Sequence, residues 1–322
     1  MRKTLIIIGA VVVILGIGAL IYFFFFRGSS APVGPDTTFP GAGPTTGDGE
    51  PTDSSSSQPN IPATVTARLV KISTGPVVPG AVVVNQKPVN ASSTPETTVS
   101  YIDRQSGNVF SYSQTSRAVT RTSNKTIPGI QSASWLPNGS ATYVRYLSGE
   151  DSKTINSYAL FATSSDGFFL AQDLTEAVAS PLGVSPSILT LASGVNGSTA
   201  SLRNTNGTQA VTLFTSPLSM LRVSYAGKQY LAYTKPSGGL AGHAYLVDTA
   251  GSFSRIAGPL NGLVALASPL GKWVLVSYTE GTDMKMALVN TTTNEALPLP
   301  VNTIADKCVW TADDLTMYCS VP

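Results

Sequence analysis

One local layout recurs along this chain: a short strand, a four-residue turn, and a second strand rich in aromatic and β-branched residues. Its clearest copy is A-S-W-L-P-N-G-S-A-T-Y-V-R-Y, which begins at Ala133. Four later stretches repeat the layout, and the loosest of them contains Ser185 and Pro186. The last turn residues of the five copies are Gly139, Ile188, Gly227, Gly271 and Asp314. Their intervals of 49, 39, 44 and 43 residues restrict the chain to folds that repeat one structural unit.

Turn chemistry supports the interpretation of these stretches as hairpins. Pro137 and Pro269 preset φ at the second turn position, and Gly139, Gly227 and Gly271 accept left-handed geometry at the fourth. From residue 64 onward the chain shows strand-like runs between turn residues and no sustained helical periodicity. A period near 40 to 45 residues is typical of a four-stranded propeller blade, so the sequence predicts an all-β, β-propeller domain over residues 64–322.

The turns resemble the S-P-D-G hallmark of TolB-type, WD-repeat-like propellers. The most similar are S-P-L-G from Ser268 and L-P-N-G from Leu136. The Asp of the hallmark is kept only at Asp313, and its Gly is replaced at Ile188 and Asp314. The resemblance covers the chain from residue 81 to the end and implies the fold of that class.

The strand pattern predicts about six blades, and five or seven are also compatible with it. Strands of the first blade are expected at residues 81–84, 98–103, 108–112 and 118–122. Later blades are expected to begin near Ser132, Ala179, Met220, Leu263 and Asp306. The sixth blade has two strands. Residues 67–73 are expected to add a third strand and close the ring, because open strand edges invite aggregation.

Residues 5–26 are an uncharged run without Pro, flanked by Arg2, Lys3 and Arg27. At 1.5 Å rise per residue, this run spans a hydrocarbon core of about 30 Å. It predicts a transmembrane helix within a membrane anchor at residues 1–27. The alternative is a cleaved signal peptide, but its apolar region is only about 7 to 15 residues long and is followed by a small-residue cleavage site.

Orientation follows from the Lys and Arg bias at the two ends of this run. Arg2, Lys3 and the free amino group outnumber Arg27, so the N-terminus is expected in the cytoplasm and the rest of the chain outside it. Residues 28–63 are low-complexity Pro, Gly, Ser and Thr, a composition that predicts a disordered linker. A random coil of about 36 residues reaches roughly 30 to 35 Å from the membrane.

The exported region contains I-S-T-G-P-V from Ile72 and D-K-C-V-W from Asp306. With these stretches it resembles a family of uncharacterised membrane-anchored propeller proteins from small-genome uncultivated bacteria. The resemblance implies a bacterial cell-envelope protein and brings no known activity. In that family the chain continues past the position of Pro322, which implies that this chain is truncated.

Cys308 and Cys319 are the only cysteines. Their midpoint falls between Asp313 and Asp314, so they face each other in a hairpin that turns there, at a Cβ separation close to what a disulfide requires. The sequence predicts a disulfide on the same hairpin face as Trp310, in an oxidising compartment. The alternative is a pair of buried free thiols.

The sequence shows no catalytic, cofactor-binding or metal-binding motif. His243 is the only histidine and no G-x-S-x-G elbow is present, so an ordinary packed or surface histidine is expected. Trp135, Trp273 and Trp310 lie at or next to inner strands and are expected to pack between blades. From residue 61 onward, 17 basic residues against 14 acidic ones form no basic cluster, which disfavours nucleic acid as a partner.

Three functions follow as hypotheses. The leading one is a single-pass, extracytoplasmic propeller that binds another envelope protein as an interaction or scaffold module and is not an enzyme. The first alternative is a carbohydrate or peptidoglycan binder with exposed Tyr and Trp. The second is a glycan-active enzyme, which would gather acids from several blades in one pocket. Those acids would be Asp103, Asp173, Asp248 and Asp306.

Overall fold

The computed structural model describes residues 70–86, 95–123, 125–151, 153–162, 167–183 and 188–321. The predicted transmembrane helix and linker lie outside these residues. Across the described ranges no helix is long and apolar enough to cross a bilayer. The same ranges consist of strands, turns and one 3₁₀ helix, Ala305–Lys307, so the prediction of an all-β fold is confirmed.

Each sheet is an antiparallel meander in which consecutive strands are hydrogen-bonded neighbours. The strands of unit 1 are β1 (Val82–Gln86), β2 (Glu96–Ile102), β3 (Val109–Ser113) and β4 (Val119–Arg121). Unit 2 contains β5 (Ile130–Trp135), β6 (Ala141–Ser148), β7 (Thr154–Phe161) and β8 (Gly167–Phe169). Unit 3 contains β9 (Leu174–Ala179), β10 (Ile188–Gly194), β11 (Gly197–Arg203) and β12 (Val211–Ser216). The four strands predicted for the first blade are all present in unit 1, with shifts of one or two residues at their ends.

The next sheet has seven strands because one long strand belongs to two units. Its strands are β13 (Leu221–Ala226), β14 (Gln229–Thr234), β15 (Ala241–Val247), β16 (Phe253–Ala267), β17 (Trp273–Glu280), β18 (Asp283–Asn290) and β19 (Ala296–Leu299). The first half of β16 pairs with β15 and completes unit 4, and its second half pairs with β17 and begins unit 5. The terminal hairpin consists of β20 (Cys308–Trp310) and β21 (Met317–Cys319).

The turn of unit 3, which is the second of the five copies, lies earlier than the sequence analysis placed it. Gly183 donates its N–H to Ser180 O at 3.2 Å and has a φ of +66°. The turn is therefore S-P-L-G at residues 180–183, with the same letters as the turn at 268–271, and Ile188 instead begins β10. With Gly183 in place of Ile188, the turn ends are separated by 44, 44, 44 and 43 residues.

These turns pack against one another from unit to unit. A Cβ placed on Gly227 would lie 2.2 Å from Leu270 O, and one on Gly271 would lie 2.4 Å from Ala226 O, so both positions require glycine. Asp314 takes the glycine position in the hairpin, with a φ of +60°. Its carboxylate accepts hydrogen bonds from the N–H groups of Leu270 and Lys272, at 2.9 and 3.2 Å. The turns thus form a row that joins units 4 and 5 to the terminal hairpin.

The predicted closure of the ring by residues 67–73 is wrong for the part that is described. Residues 70–73 contain no strand, and Ile72 O accepts a hydrogen bond from the Tyr101 hydroxyl in unit 1 at 3.3 Å. Within the described ranges the terminal hairpin has two strands. One of its faces, with Cys308 and Trp310, packs on a cluster that includes Leu275.

Candidate functional site: the centre of the propeller

The first strands of successive units lie side by side. β5 contacts β9, β9 contacts β13, and β13 contacts β16. Charged residues on these first strands are unexpected in an all-β core, because buried charges normally require partners. Two of them, Glu176 on β9 and Arg222 on β13, meet Arg145 from β6 and Asp306 from the 3₁₀ helix. These four residues are called the central cluster.

Glu176 is the shared acceptor of the central cluster. Its Oε2 lies 3.1 Å from Arg145 Nη2, and its Oε1 lies 3.2 Å from Arg222 Nε. Arg222 Nη1 in turn lies 3.4 Å from Asp306 Oδ2, and Arg145 Nε donates to the Ser132 hydroxyl at 3.1 Å. Two cations and two carboxylates therefore balance, and the cluster connects units 2, 3 and 4 with the 3₁₀ helix that precedes the terminal hairpin.

Burial perturbs the titrating groups of this centre. Burial lowers the pKa of Arg145, and the adjacent Arg222 acts in the same direction, against the opposing effect of Glu176. For Arg222, burial acts to lower the pKa, but Tyr233, Glu176 and Asp306 together raise it. Burial also raises the pKa of Tyr233 to about 12. At neutral pH Arg145 and Arg222 are thus positively charged and Tyr233 is uncharged.

A cavity of about 270 Å³ lies beside the central cluster. On β9 and β13 the residues two positions after the cluster residues, Val178 and Ser224, line this cavity, as expected from the two-residue period of a strand. Leu266 and Trp310 contribute from β16 and β20. The buried Nε1 of Trp310 has no hydrogen-bond partner among the described residues. The cavity, here called the central cavity, suits an apolar side chain.

The predicted disulfide is confirmed and lies at this cavity. Cys308 and Cys319 are bonded and are direct partners in the register of β20 and β21. Cys308 also lines the central cavity. The disulfide thus fixes the strand that forms one wall.

The three tryptophans occupy different surroundings. Trp135 is buried, and its Nε1 donates to Gly80 O at 3.2 Å, which joins units 1 and 2. Trp273 is half-buried with Lys272 Nζ 5.5 Å from its ring centre, and Trp310 packs on unit 5. His243 is half-buried in β15, and its Nδ1 has no hydrogen-bond partner in the described part of the chain.

The four acids named for an enzymatic pocket do not meet in one place. Asp103 accepts hydrogen bonds from Ser106, which lower its pKa. Asp173 and Asp248 accept N–H bonds within their own turns or from a neighbouring strand. Only Asp306 joins the centre. Among the described residues no three His, Cys, Asp or Glu are placed to hold a metal ion.

Sequence reasoning missed Arg145, Glu176 and Arg222, although a signal for them exists. Ser132, Glu176, Arg222 and Asp306 are separated by 44, 46 and 84 residues, which is close to one, one and two repeat lengths. Polar residues at equivalent positions of successive inner strands therefore converge on the axis of a repeat fold.

No protein family and no curated protein matches this sequence. Among solved structures, an oligogalacturonate lyase in complex with manganese matches with 9% identity and a TM-score of 0.52, over 68% of this chain and 69% of the other. TolB from Acinetobacter baumannii matches with 14% identity and a TM-score of 0.48, over 66% of this chain and 53% of the other. The β-propeller domain of the Trilobed protease from Pyrococcus furiosus matches with 8% identity and a TM-score of 0.44, over 67% of this chain and 70% of the other.

At these identities the likeness concerns the fold alone. The chain spans about half the length of the TolB structure. Meanders of four strands whose first strands lie side by side are the construction of a β-propeller, and the likeness to the lyase structure at a TM-score of 0.52 agrees with a shared fold. The prediction of a β-propeller fold is confirmed at this level.

The comparisons correct one expectation. The absence of catalytic motifs led to the prediction that the protein is not an enzyme, and that prediction is wrong as an inference for this fold. Oligogalacturonate lyase, whose structure matches this fold with a TM-score of 0.52, is an enzyme. Missing motifs therefore do not exclude catalysis in a chain of this fold.

Proposed function

We propose that the protein is a membrane-anchored, extracytoplasmic β-propeller of about six blades that binds another protein of the cell envelope. In this proposal the hydrophobic run at residues 5–26 is the anchor, with the N-terminus in the cytoplasm, and residues 28–63 are the tether. The anchor's length and flanking charges support it. The low basic density of the exported region disfavours nucleic acid as the partner.

The central cavity carries this proposal, because its rim is apolar and open. Val309, which lines the cavity, is 62% exposed, and Leu270 and Leu315 are 55% and 80% exposed. Leu270 follows Pro269, which lines the cavity, and its N–H donates to the carboxylate of Asp314, the residue before Leu315. Contiguous exposed apolar side chains mark interaction surfaces. An apolar side chain of the partner would enter the cavity while these three residues contact the surface around it.

The test is chemical crosslinking of the full chain to its protein partner, in membranes from the cells that produce it. Leu270→Asp places a charge on the rim and should abolish the crosslinked product. Val195→Asp is the matched control, because Val195 is fully exposed in the turn between β10 and β11, and it should leave the product unchanged. Equal loss in both variants, or a product that persists in Leu270→Asp, would contradict the proposal.

The anchor requires a separate test. The full chain should stay in the membrane pellet after alkaline carbonate extraction. Protease added to cells whose outer layer has been permeabilised, with the cytoplasmic membrane intact, should degrade the propeller. Release of the chain by carbonate would show that residues 5–26 are removed or do not span the bilayer. The crosslinking result is independent of this outcome.

A further inference from the structure

Unit 1 contains a cleft that lies away from the central cavity. It consists of two adjoining cavities of about 520 and 510 Å³, which share Ile72 and Val119 in their walls. Each lies within the range of about 300 to 1,000 Å³ that ligand sites occupy. One wall is residues 70–76, and the other is the hairpin of β3 and β4. We name it the unit 1 cleft.

The floor of the unit 1 cleft is aromatic. Tyr101 and Phe110 are cross-strand partners whose rings lie 5.9 Å apart with an interplanar angle of 20°. Tyr112 is two positions after Phe110 on β3, so it points to the same side of the sheet. Its hydroxyl has no hydrogen-bond partner among the described residues. Tyr101 is buried, so the half-buried rings of Phe110 and Tyr112 are the part of the floor that a ligand can reach. They suit a pyranose ring, which offers an apolar C–H face and polar edges.

The walls carry cations without partners. Lys71 and Arg117 line one of the two cavities, both are exposed, and neither forms an ion pair within the described part of the chain. Arg121, the register partner of Phe110, adds a third positive charge on this face, and its Nε donates to Ser123 O at 2.8 Å. The one carboxylate of the cleft, Asp103, lies in the other cavity and is already hydrogen-bonded by Ser106. One half of the cleft is therefore positive and the other half is neutral to negative.

We propose that the unit 1 cleft binds an acidic oligosaccharide, with a sugar carboxylate between Lys71 and Arg117 and a ring face on the Tyr112 side of the floor. The side-chain amides of Gln105 and Gln114 in the walls bind the sugar hydroxyls. An acidic peptide is less suited to the cleft, because its carboxylates can pair with Lys71 and Arg117 but it has no saturated ring to lie on the aromatic side chains of the floor. This site does not depend on the central cavity or on the protein partner proposed for it.

A matched pair of glycans tests the carboxylate directly. Cellotetrauronic acid and cellotetraose have the same linkage and length and differ in the carboxylates at C6. Binding of each to the full chain in detergent micelles is measured by isothermal titration at two salt concentrations. We expect the acidic tetramer to bind at least tenfold more tightly at low salt, and the difference to shrink at high salt because exposed charges are screened.

Variants locate the site. Arg117→Gln should weaken binding of the acidic tetramer at least fivefold and leave cellotetraose binding unchanged, whereas Tyr112→Leu should weaken both. Lys228→Gln removes an exposed cation in the turn between β13 and β14 and should change neither. A thermal unfolding midpoint equal to wild type confirms that each variant is folded.

Three results would overturn the proposal. One is no binding of either tetramer at millimolar concentration. The second is equal weakening by Lys228→Gln and Arg117→Gln, which would indicate non-specific charge attraction. The third is hexaglutamate binding as tightly as the acidic tetramer and being lost in Arg117→Gln, which would identify an acidic-peptide site instead.

Discussion

Glu176→Gln should destabilise the propeller by about 3 kcal/mol, because it removes the carboxylate that two arginines share. The Glu176 side chain is 15% exposed and that of Arg145 is 19% exposed, so their pair is largely shielded from water. Removing one partner of a buried pair costs roughly 3 to 5 kcal/mol. The Arg222 side chain is 39% exposed, so solvent screens its pair with Glu176 and adds little. The Gln amide keeps one acceptor, which favours the lower end of the range.

The assay is reversible thermal or urea unfolding of the full chain, followed by circular dichroism. For a domain of this size, about 3 kcal/mol corresponds to a decrease in Tm of roughly 6 to 12 °C. Asp151→Asn is the control, because the side chains of Asp151 and Lys153 are 56% and 81% exposed, so solvent screens the pair and the Tm should stay close to that of the wild type.

A double-mutant cycle with Arg145→Gln separates the pair from other effects of the substitution. If the two residues interact directly, the double variant should be less destabilised than the sum of the single variants, by about 1 to 3 kcal/mol. A Glu176→Gln variant that unfolds at the same temperature as Asp151→Asn would refute the assignment of the central cluster as a buried linkage between units.

Three further predictions concern the turns, the disulfide and the tyrosines. Asp314→Ala deletes the acceptor of three hydrogen bonds from the neighbouring turn and should lower the unfolding free energy by about 2 to 4 kcal/mol. Asp314→Asn should lower it less. Urea unfolding midpoints measure both effects. Replacing Cys308 and Cys319 together by Ala should lower it by about 2 kcal/mol, because the loop they close is short, and dithiothreitol should reproduce this shift in the wild type but not in the variant. Burial raises the pKa of Tyr143 from 10.0 to about 12, so its contribution to stability is fully present below pH 10 and is lost as the pH rises towards about 12. Unfolding measured across this window should depend less on pH in Tyr143→Phe, and an unchanged profile would show that this tyrosine does not govern it.

The strands and turns were largely predictable because they depend on local chemistry. Period-two runs of β-branched and aromatic residues give strands, and Pro or Gly at defined turn positions gives hairpins. The pairing of Cys308 with Cys319 followed from the same local symmetry about the turn. In these cases the residues that determine the geometry lie within about a dozen positions of one another.

The turn of unit 3 shows where local chemistry was ambiguous. The sequence offers two Ser-Pro dipeptides five residues apart, at Ser180 and Ser185, and either could begin a turn. The register of unit 3, in which Ile188 is paired with Ala179, selects the first. The repeat length of 44 residues would have selected it as well.

The non-local features could not be found in the same way. Glu176 lies 31 residues from Arg145 and 46 from Arg222 in the sequence, and nothing in the immediate neighbourhood of any of them indicates that they meet. The unit 1 cleft likewise depends on the packing of residues 70–76 beside β2, which the expected ring closure would have placed elsewhere.

The sequence by itself determined the all-β class, the length of the repeat and the disulfide, because each is set by short-range periodicity or by residues across one hairpin. Only the tertiary structure decided which inner-strand charges pair at the centre and which surfaces form the two clefts. Those contacts join side chains that are one or two repeat lengths apart, or pack a segment against a sheet, so they exist only after the units have been arranged in space.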